Sequence, residues 1–183
     1  MHDLSAIWPA QPDWRAAALD RPGLSVRPAP GLAQHLISGD FAAWARQASF
    51  PHADIGGFGL AQGDRYCVRL ARDRVLAVGP SDFVAPSGWR AEGFAATPIS
   101  AGLLVFELTG ALSSEILARA TALDPSRTSP SAAMNFAGIQ AIVYRYRDSE
   151  TARIHIDRPM GSHFWTWLAA TVENLASAED DGH

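Results

Sequence analysis

Lysine is absent from this chain, and all 15 of its cationic residues are arginine. A Schiff-base lysine, a Walker-type phosphate lysine and a lysine general base are therefore excluded. Cysteine occurs only once, as Cys67, so the chain can form neither an internal disulfide nor a zinc site built from several cysteines. The residues around Cys67 alternate like a strand, which favours a packed structural thiol.

Membrane, secretion and nucleic-acid signals are also missing. No apolar run approaches the ~18 residues of a membrane span, and the amino terminus lacks the basic start and apolar run of a secretory signal. The four arginines between residues 65 and 74 are interleaved with Asp64 and Asp73, a mixed-sign pattern typical of a solvated face. We therefore expect a cytoplasmic protein that binds neither membrane nor nucleic acid.

Catalytic and cofactor motifs are sparse. The GGFG run at 56–59 lacks the spacing of a dinucleotide-binding loop and precedes a strand. Ser113 and Ser114 lack a nucleophile-elbow pattern and suit the first turn of a helix, with Glu115 near its positive end. The six histidines are scattered, and no pair has the spacing of a zinc site on a helix. We predict no catalytic, cofactor-binding or metal-ligating residue in this chain.

The composition nevertheless indicates a folded domain, because 48% of the 183 residues are hydrophobic and six are Trp. Residues 24–99 and 100–176 each show a strand, a helix, antiparallel strands and a helix-like return. The pattern predicts an α+β domain over 24–176, built as a pseudo-symmetric pair of ferredoxin-like-type halves, with helices packed on antiparallel sheets. Residues 1–23 are expected to form an arm and residues 177–183 a frayed acidic tail.

In the first half, Ser38 is placed to cap a helix that presents Phe41, Trp44 and Ala45 on one face. Three short segments follow, GGFGLAQ, RYCVRLA and RVLAVGP, separated by a Gly-Asp and an Arg-Asp break. Such breaks between apolar runs predict a three-stranded meander.

In the second half, residues 152–157 alternate strictly, with Ala152, Ile154 and Ile156 on one side of a strand. Arg153, His155 and Asp157 share the other side, where they have the chemistry to hold an anion or transfer a proton. Antiparallel sheets usually wet one face, so we interpret this side as solvent-facing and expect Arg153→Ala to be nearly silent. The last helix is expected to bury a stripe formed by Trp165, Leu168, Val172 and Leu175.

The order of elements over 101–176 carries a resemblance to a known family. Together with the steps ELTG at 107–110, Leu123-Asp124-Pro125 and WTWL at 165–168, it resembles the gamma subunit of heterotetrameric sarcosine oxidases. That subunit is related in fold to the folate-binding domain of glycine-cleavage aminomethyltransferases. The chain lacks the Cys signature of related iron–sulfur maturation proteins and has no room for the additional barrel of true aminomethyltransferases.

The resemblance implies a non-catalytic assembly subunit of a sarcosine-oxidase-like complex that oxidatively demethylates a small N-methyl amine. The implied partners are alpha and beta subunits, and a delta subunit in complexes that have one. FAD, FMN, NAD and tetrahydrofolate would belong to those partners, and no activity is expected of this chain alone. Two alternatives stay open: a stand-alone folate-type small-ligand-binding protein of one-carbon metabolism, and an orphan structural domain.

Three residues are candidates for contact with a partner. Trp8 and Trp14 lie in the irregular arm, and aromatic anchors of this kind are typical of interfaces. Arg127 lies in the loop 125–131, which keeps the Arg and Pro of the corresponding loop in gamma subunits but departs from it elsewhere.

Overall fold

The structure, a computed structural model, describes residues 12–180, with side chains through Leu175. Within that range the chain forms three α-helices: α1 (Phe41–Ala48), α2 (Ser113–Ala120) and α3 (Gly161–Asp180). The strands are β1 (Leu19–Arg21), β2 (Leu24–Pro28), β3 (Leu32–Gly39), β4 (Asp54–Ile55), β5 (Leu60–Ala61), β6 (Tyr66–Ala71), β7 (Arg74–Pro80), β8 (Gly88–Arg90), β9 (Phe94–Pro98), β10 (Leu103–Thr109), β11 (Ala133–Phe136), β12 (Ile139–Tyr146) and β13 (Thr151–Asp157).

The strands form two sheets that are antiparallel apart from two short pairs. The first sheet has the order β1-β2-β10-β13-β12-β11, and β5 runs parallel to β12. The second has the order β4-β6-β7-β3-β9-β8, with β4 parallel to β6. The predicted α+β class, with two ferredoxin-like-type sheets and helices packed on them, is confirmed.

The two sheets have a similar strand arrangement. The edge hairpin of each sheet, however, comes from the part of the chain that supplies most strands of the other sheet. The hairpin β8–β9 directly precedes β10 in sequence, yet β9 pairs with β3. The hairpin β1–β2 directly precedes β3, yet β2 pairs with β10. Neither sheet therefore coincides with residues 24–99 or 100–176, and the first sheet begins at Leu19, inside the segment expected as an arm.

Helices cover the outer faces of the sheets, and the inner faces pack against each other. On β13, Ile154 and Ile156 belong to the apolar cluster that contains Phe164 and Leu168 of α3. A separate cluster joins the inner faces through Tyr66, Val68, Leu76, Val78, Tyr144 and Tyr146. Because alternate residues of a strand point to opposite sides, the neighbours of Ile154 on β13 face the other sheet.

The last helix buries a stripe slightly rotated from the expected one. Phe164, Leu168 and Leu175 are the most deeply buried residues of its apolar side, whereas Trp165 and Val172 are only partly buried. The helix is unbroken through Asp180, so helical backbone extends into the segment expected as a frayed tail.

The first helix and the expected meander also differ from the sequence-based prediction. Asp40, not Ser38, caps α1: its Oδ1 accepts a hydrogen bond from the Ala43 amide at 2.9 Å. Ser38 is still part of β3, paired with Arg74 and Ala95, so its backbone belongs to the sheet. The meander contains only β6 and β7, because β5 leaves it to pair with β12 of the other sheet.

Candidate functional site

A chain of polar side chains crosses the space between the two sheets. The second sheet supplies Gln34 from β3 and Tyr66 from β6, and the first supplies the rest: Glu107 from β10, Tyr144 from β12, Arg153 and His155 from β13. All except Glu107 are buried, with Arg153 only 7% and His155 only 1% exposed. The interpretation of the face at 153–157 as solvent-facing is therefore wrong for these two residues, because a second sheet covers it; Asp157, at the end of β13, is exposed.

Short hydrogen bonds link the members of this polar chain. The Nδ1 atom of His155 lies 2.6 Å from Gln34 Oε1, and its Nε2 atom lies 2.6 Å from the Tyr144 hydroxyl. That hydroxyl lies 2.8 Å from the hydroxyl of Tyr66. The Tyr66 hydroxyl in turn lies 2.6 Å from Nη1 of Arg153.

The ends of the polar chain fix the direction of its hydrogen bonds. Arg153 can only donate, so Tyr66 accepts from it; because the Tyr144 proton is directed at a neutral His155, Tyr66 donates its own proton to Tyr144. Gln34 Oε1 can only accept, so His155 donates from Nδ1 and accepts from Tyr144 at Nε2. This assignment requires a neutral imidazole. Burial, followed by the nearby Arg153 charge, lowers the pKa of His155 to about 3, which agrees with that state.

The charge of Arg153 is neutralised at the other end. Its Nε donates to Glu107 Oε2 at 3.0 Å, and its guanidinium carbon lies 3.3 Å from the centroid of the Tyr146 ring. Burial raises the pKa values of both Tyr66 and Tyr144, so both phenols stay protonated at neutral pH. The network thus combines a compensated cation with neutral, mutually hydrogen-bonded groups.

A cleft of about 420 Å³ opens beside the Gln34 end of the network. We call it the Gln34 cleft; its walls include Trp14, Gln34 and Ser100, with Arg15 and Arg158 among its charged residues. The Ser100 hydroxyl holds Gln34 in place, accepting from its main-chain amide at 2.8 Å. Because Gln34 Oε1 is engaged by His155, the amide nitrogen is the remaining polar group of that side chain.

The predicted interface residues have different positions. Trp14 packs edge-on against Phe106 and Trp165, with ring centroids 5.7 and 6.1 Å away. Gly161 permits this approach, since a Cβ there would lie 3.0 Å from the Trp14 ring and 2.5 Å from Leu104. Arg127 is exposed, in a turn whose amide bonds to the Asp124 carbonyl. Trp8 lies outside the described residues, and contact of any of the three with a partner stays a prediction.

Sequence reasoning found two members of the network and missed the others. Arg153 and His155 were identified by alternation, but Gln34, Tyr66 and Tyr144 are distant in sequence and meet them only when the sheets pack. The sequence signal that could have identified the two tyrosines is a period of two, because Tyr144 alternates with apolar Val143 and Tyr66 alternates with Cys67. No cluster of His, Cys, Asp or Glu suited to a metal ion occurs among residues 12–180.

Comparison with known proteins shows a shared fold. No protein-family model matches the chain, and no curated protein matches its sequence. Among solved structures, the chain is similar to a chain of the heterotetrameric sarcosine oxidase from Corynebacterium sp. U-96 in complex with pyrrole 2-carboxylate. The TM-score is 0.65 at 16% identity, over 93% of this chain and 92% of that one. Across residues 12–180, no helix has both the length and the apolar character to traverse a bilayer.

Proposed function

We propose that this chain is a non-catalytic assembly subunit of a sarcosine-oxidase-like complex, equivalent to a gamma subunit. The observation that carries the proposal is the end-to-end structural similarity to one chain of a heterotetrameric sarcosine oxidase. Because the match spans 93% of one chain and 92% of the other, the two chains have similar size as well as similar fold. In this proposal, flavin-dependent oxidation of a small N-methyl amine takes place in alpha and beta partner subunits.

The polar network contains His155, Tyr66 and Tyr144, the side chains best suited to acid–base chemistry, and its contacts support a structural role for them. Each of its hydrogen bonds joins two groups of this chain, and its cation is paired internally with Glu107. The depressed pKa of His155 and the raised pKa values of Tyr66 and Tyr144 oppose proton exchange near neutrality. These side chains therefore serve to hold two sheets together.

The test is purification of the native complex from the source cell through a tag on this chain. We expect flavin-containing subunits to co-purify and the mixture to produce hydrogen peroxide from an N-methyl amine. The chain purified alone should be colourless and inactive toward sarcosine. Recovery of the tagged chain without flavoprotein partners, or peroxide production by the chain alone, would contradict the proposal.

A second candidate function, binding of a small folate-type ligand, is favoured by the Gln34 cleft. Its walls include Trp14 and Gln34, and the two arginines at 15 and 158 outnumber the one carboxylate, Asp13, which favours an anionic ligand. Aromatic and amide groups of this kind suit a planar ring that carries carbonyl oxygens.

Titration of the isolated chain with tetrahydrofolate, followed by tryptophan fluorescence, tests this second function. Binding should quench Trp14, and Gln34→Leu should weaken binding by about fivefold or more, since a lost hydrogen bond in a desolvated site commonly costs ~1–3 kcal/mol. Unchanged fluorescence in both proteins would eliminate the second candidate without affecting the first.

A further inference from the structure

Arg145 on β12 is buried, and its guanidinium forms no ion pair within the described residues, although the Asp148 carboxylate is close enough to act on its charge. Its residue exposure is 7%, similar to that of Arg153 on the neighbouring strand, but the two face opposite sides of the sheet. Arg153 is paired with Glu107. Arg145 donates only to two hydroxyls, from Nη1 to Ser113 Oγ at 3.3 Å and from Nη2 to Ser114 Oγ at 2.8 Å. Over the described part of the chain it forms no ion pair.

The guanidinium faces an open cleft of about 470 Å³, which we call the Arg145 cleft. Its polar lining includes Ser114, Ser126 and Ser149, and its apolar side includes Phe58 and Leu60. A buried cation is normally paired or ligand-bound, because an uncompensated charge away from water is unfavourable. A guanidinium and a hydroxyl in one cleft are the donors that recognise an oxyanion.

The start of α2 adds to the positive character of this cleft. Ser113 and Ser114 are its first two residues, and the preceding Leu112 provides no side-chain cap. The first amides of a helix carry partial positive charge and donate readily to an anion. Those of Ser113 and Glu115 already donate to the carbonyls of Gly110 and Leu112, which leaves the Ser114 amide for an anion. The same two serines therefore connect the helix end to the Arg145 guanidinium.

Nearby carboxylates limit the charge of the ligand. Glu150 lines the cleft and is exposed. Asp148 is already engaged, since its Oδ1 accepts from the amides of Glu150 and Thr151 at 3.0 and 2.7 Å. On α2, Glu115 pairs with Arg119. One buried cation beside an acidic rim matches a single negative charge better than the double charge of phosphate.

We propose that the Arg145 cleft binds a small monocarboxylate, with the carboxylate on the guanidinium and the Ser114 hydroxyl and the apolar part toward Phe58 and Leu60. The site shares no lining residue with the Gln34 cleft. It gives the isolated chain a ligand-binding capacity of its own.

The experiment is an NMR titration of the ¹⁵N-labelled full chain with sodium acetate, at constant ionic strength and with sodium chloride as the reference salt. We expect saturable shifts of the Ser114 amide and the Arg145 Nε–Hε signal. Arg145→Gln should weaken acetate binding at least about tenfold, the usual effect of losing a charge-assisted hydrogen bond. Arg46→Gln, an exposed arginine on α1, should bind acetate like the wild-type chain.

Two further variants keep the result decisive. Ser114→Ala retains the charge and removes one donor, so it should fold and bind acetate several-fold more weakly even if Arg145→Gln does not fold. Glu150→Gln should leave binding intact or strengthen it. The proposal is overturned if wild-type chain shows no saturable shift, if Arg145→Gln keeps the shifts, or if acetate binds only after Glu150→Gln, which would make Glu150 the native counter-ion.

Discussion

At the scale of single residues, the surprising feature is the burial of Arg153. Its guanidinium contacts Glu107, the Tyr66 hydroxyl and the Tyr146 ring, so truncation leaves an acceptor and a carboxylate without their donor. Breaking a buried ion pair from one side commonly costs ~3–5 kcal/mol. We expect Arg153→Ala to lower the free energy of unfolding by that amount in urea denaturation, and the exposed Arg90→Ala to lower it by less than about 0.5 kcal/mol. Equal effects of the two variants would contradict the network.

The buried His155 is expected to make the stability of the protein depend on pH. Its pKa is lowered to about 3 in the folded protein and is about 6.5 when unfolded, so the unfolded state takes up the proton first. Its contribution is complete above pH 6.5 and is lost as the pH falls from 6.5 toward 3, by at most about 1.4 kcal/mol per pH unit. Burial also lowers the pKa of His35, which adds to the same slope.

The measurement is urea unfolding at several pH values between about 5.5 and 7, above the titration range of most carboxylates. His155→Gln should be less stable at neutral pH but should show a shallower pH slope than wild type. His35→Gln serves as the comparison, since its imidazole lies outside the polar network. If stability depends on pH equally in His155→Gln and in the wild-type chain, the His155 imidazole does not titrate on unfolding.

At the scale of elements, α3 contributes Phe164, Leu168 and Leu175 to the buried core of the first sheet. Phe164 is fully buried and packs against Phe106 and Phe136, whereas Trp165 is partly exposed. Truncation of a buried Phe commonly costs ~3–5 kcal/mol. We therefore expect Phe164→Ala to reduce stability more than Trp165→Ala, measured by thermal and urea unfolding. The opposite order would show that the helix is rotated toward the stripe expected from sequence.

The sequence predicts the helices and strands better than it predicts which part of the protein packs on each of their faces. The apolar periodicity locates β13, α2 and α3, because each has one face with a clear period. The same periodicity assigns Arg153 and His155 to one side of a strand but contains no information that another sheet lies there. The sequence also gives no sign of short strand pairs between distant segments. Strand β5 has two residues, and its partner on β12 is about 85 residues away, so neither turn residues nor periodicity indicate the pairing.

At the scale of the whole molecule, residues 12–23 of the segment expected as an arm pack as part of the fold. Trp14 packs on Phe106, and β1 forms the edge of the first sheet. Deletion of residues 1–22 should therefore lower the melting temperature and expose the α3 side of the sheet, because an edge strand and a large aromatic contact are removed. Deletion of residues 1–11, which removes none of the described contacts, is the control. Two truncated proteins of equal stability would mean that Trp14 and β1 add nothing to the domain.

The exchanged edge hairpins have a consequence for how one half of the chain could fold alone. A single repeat, consisting of a hairpin followed by its strands and helix, lacks the hairpin that completes its own sheet, since it donates that hairpin to the other repeat. Such a unit would close only as a homodimer in which each copy gives its hairpin to its twin. In the present chain the two units are covalently joined, so this exchange of hairpins is intramolecular and does not depend on protein concentration.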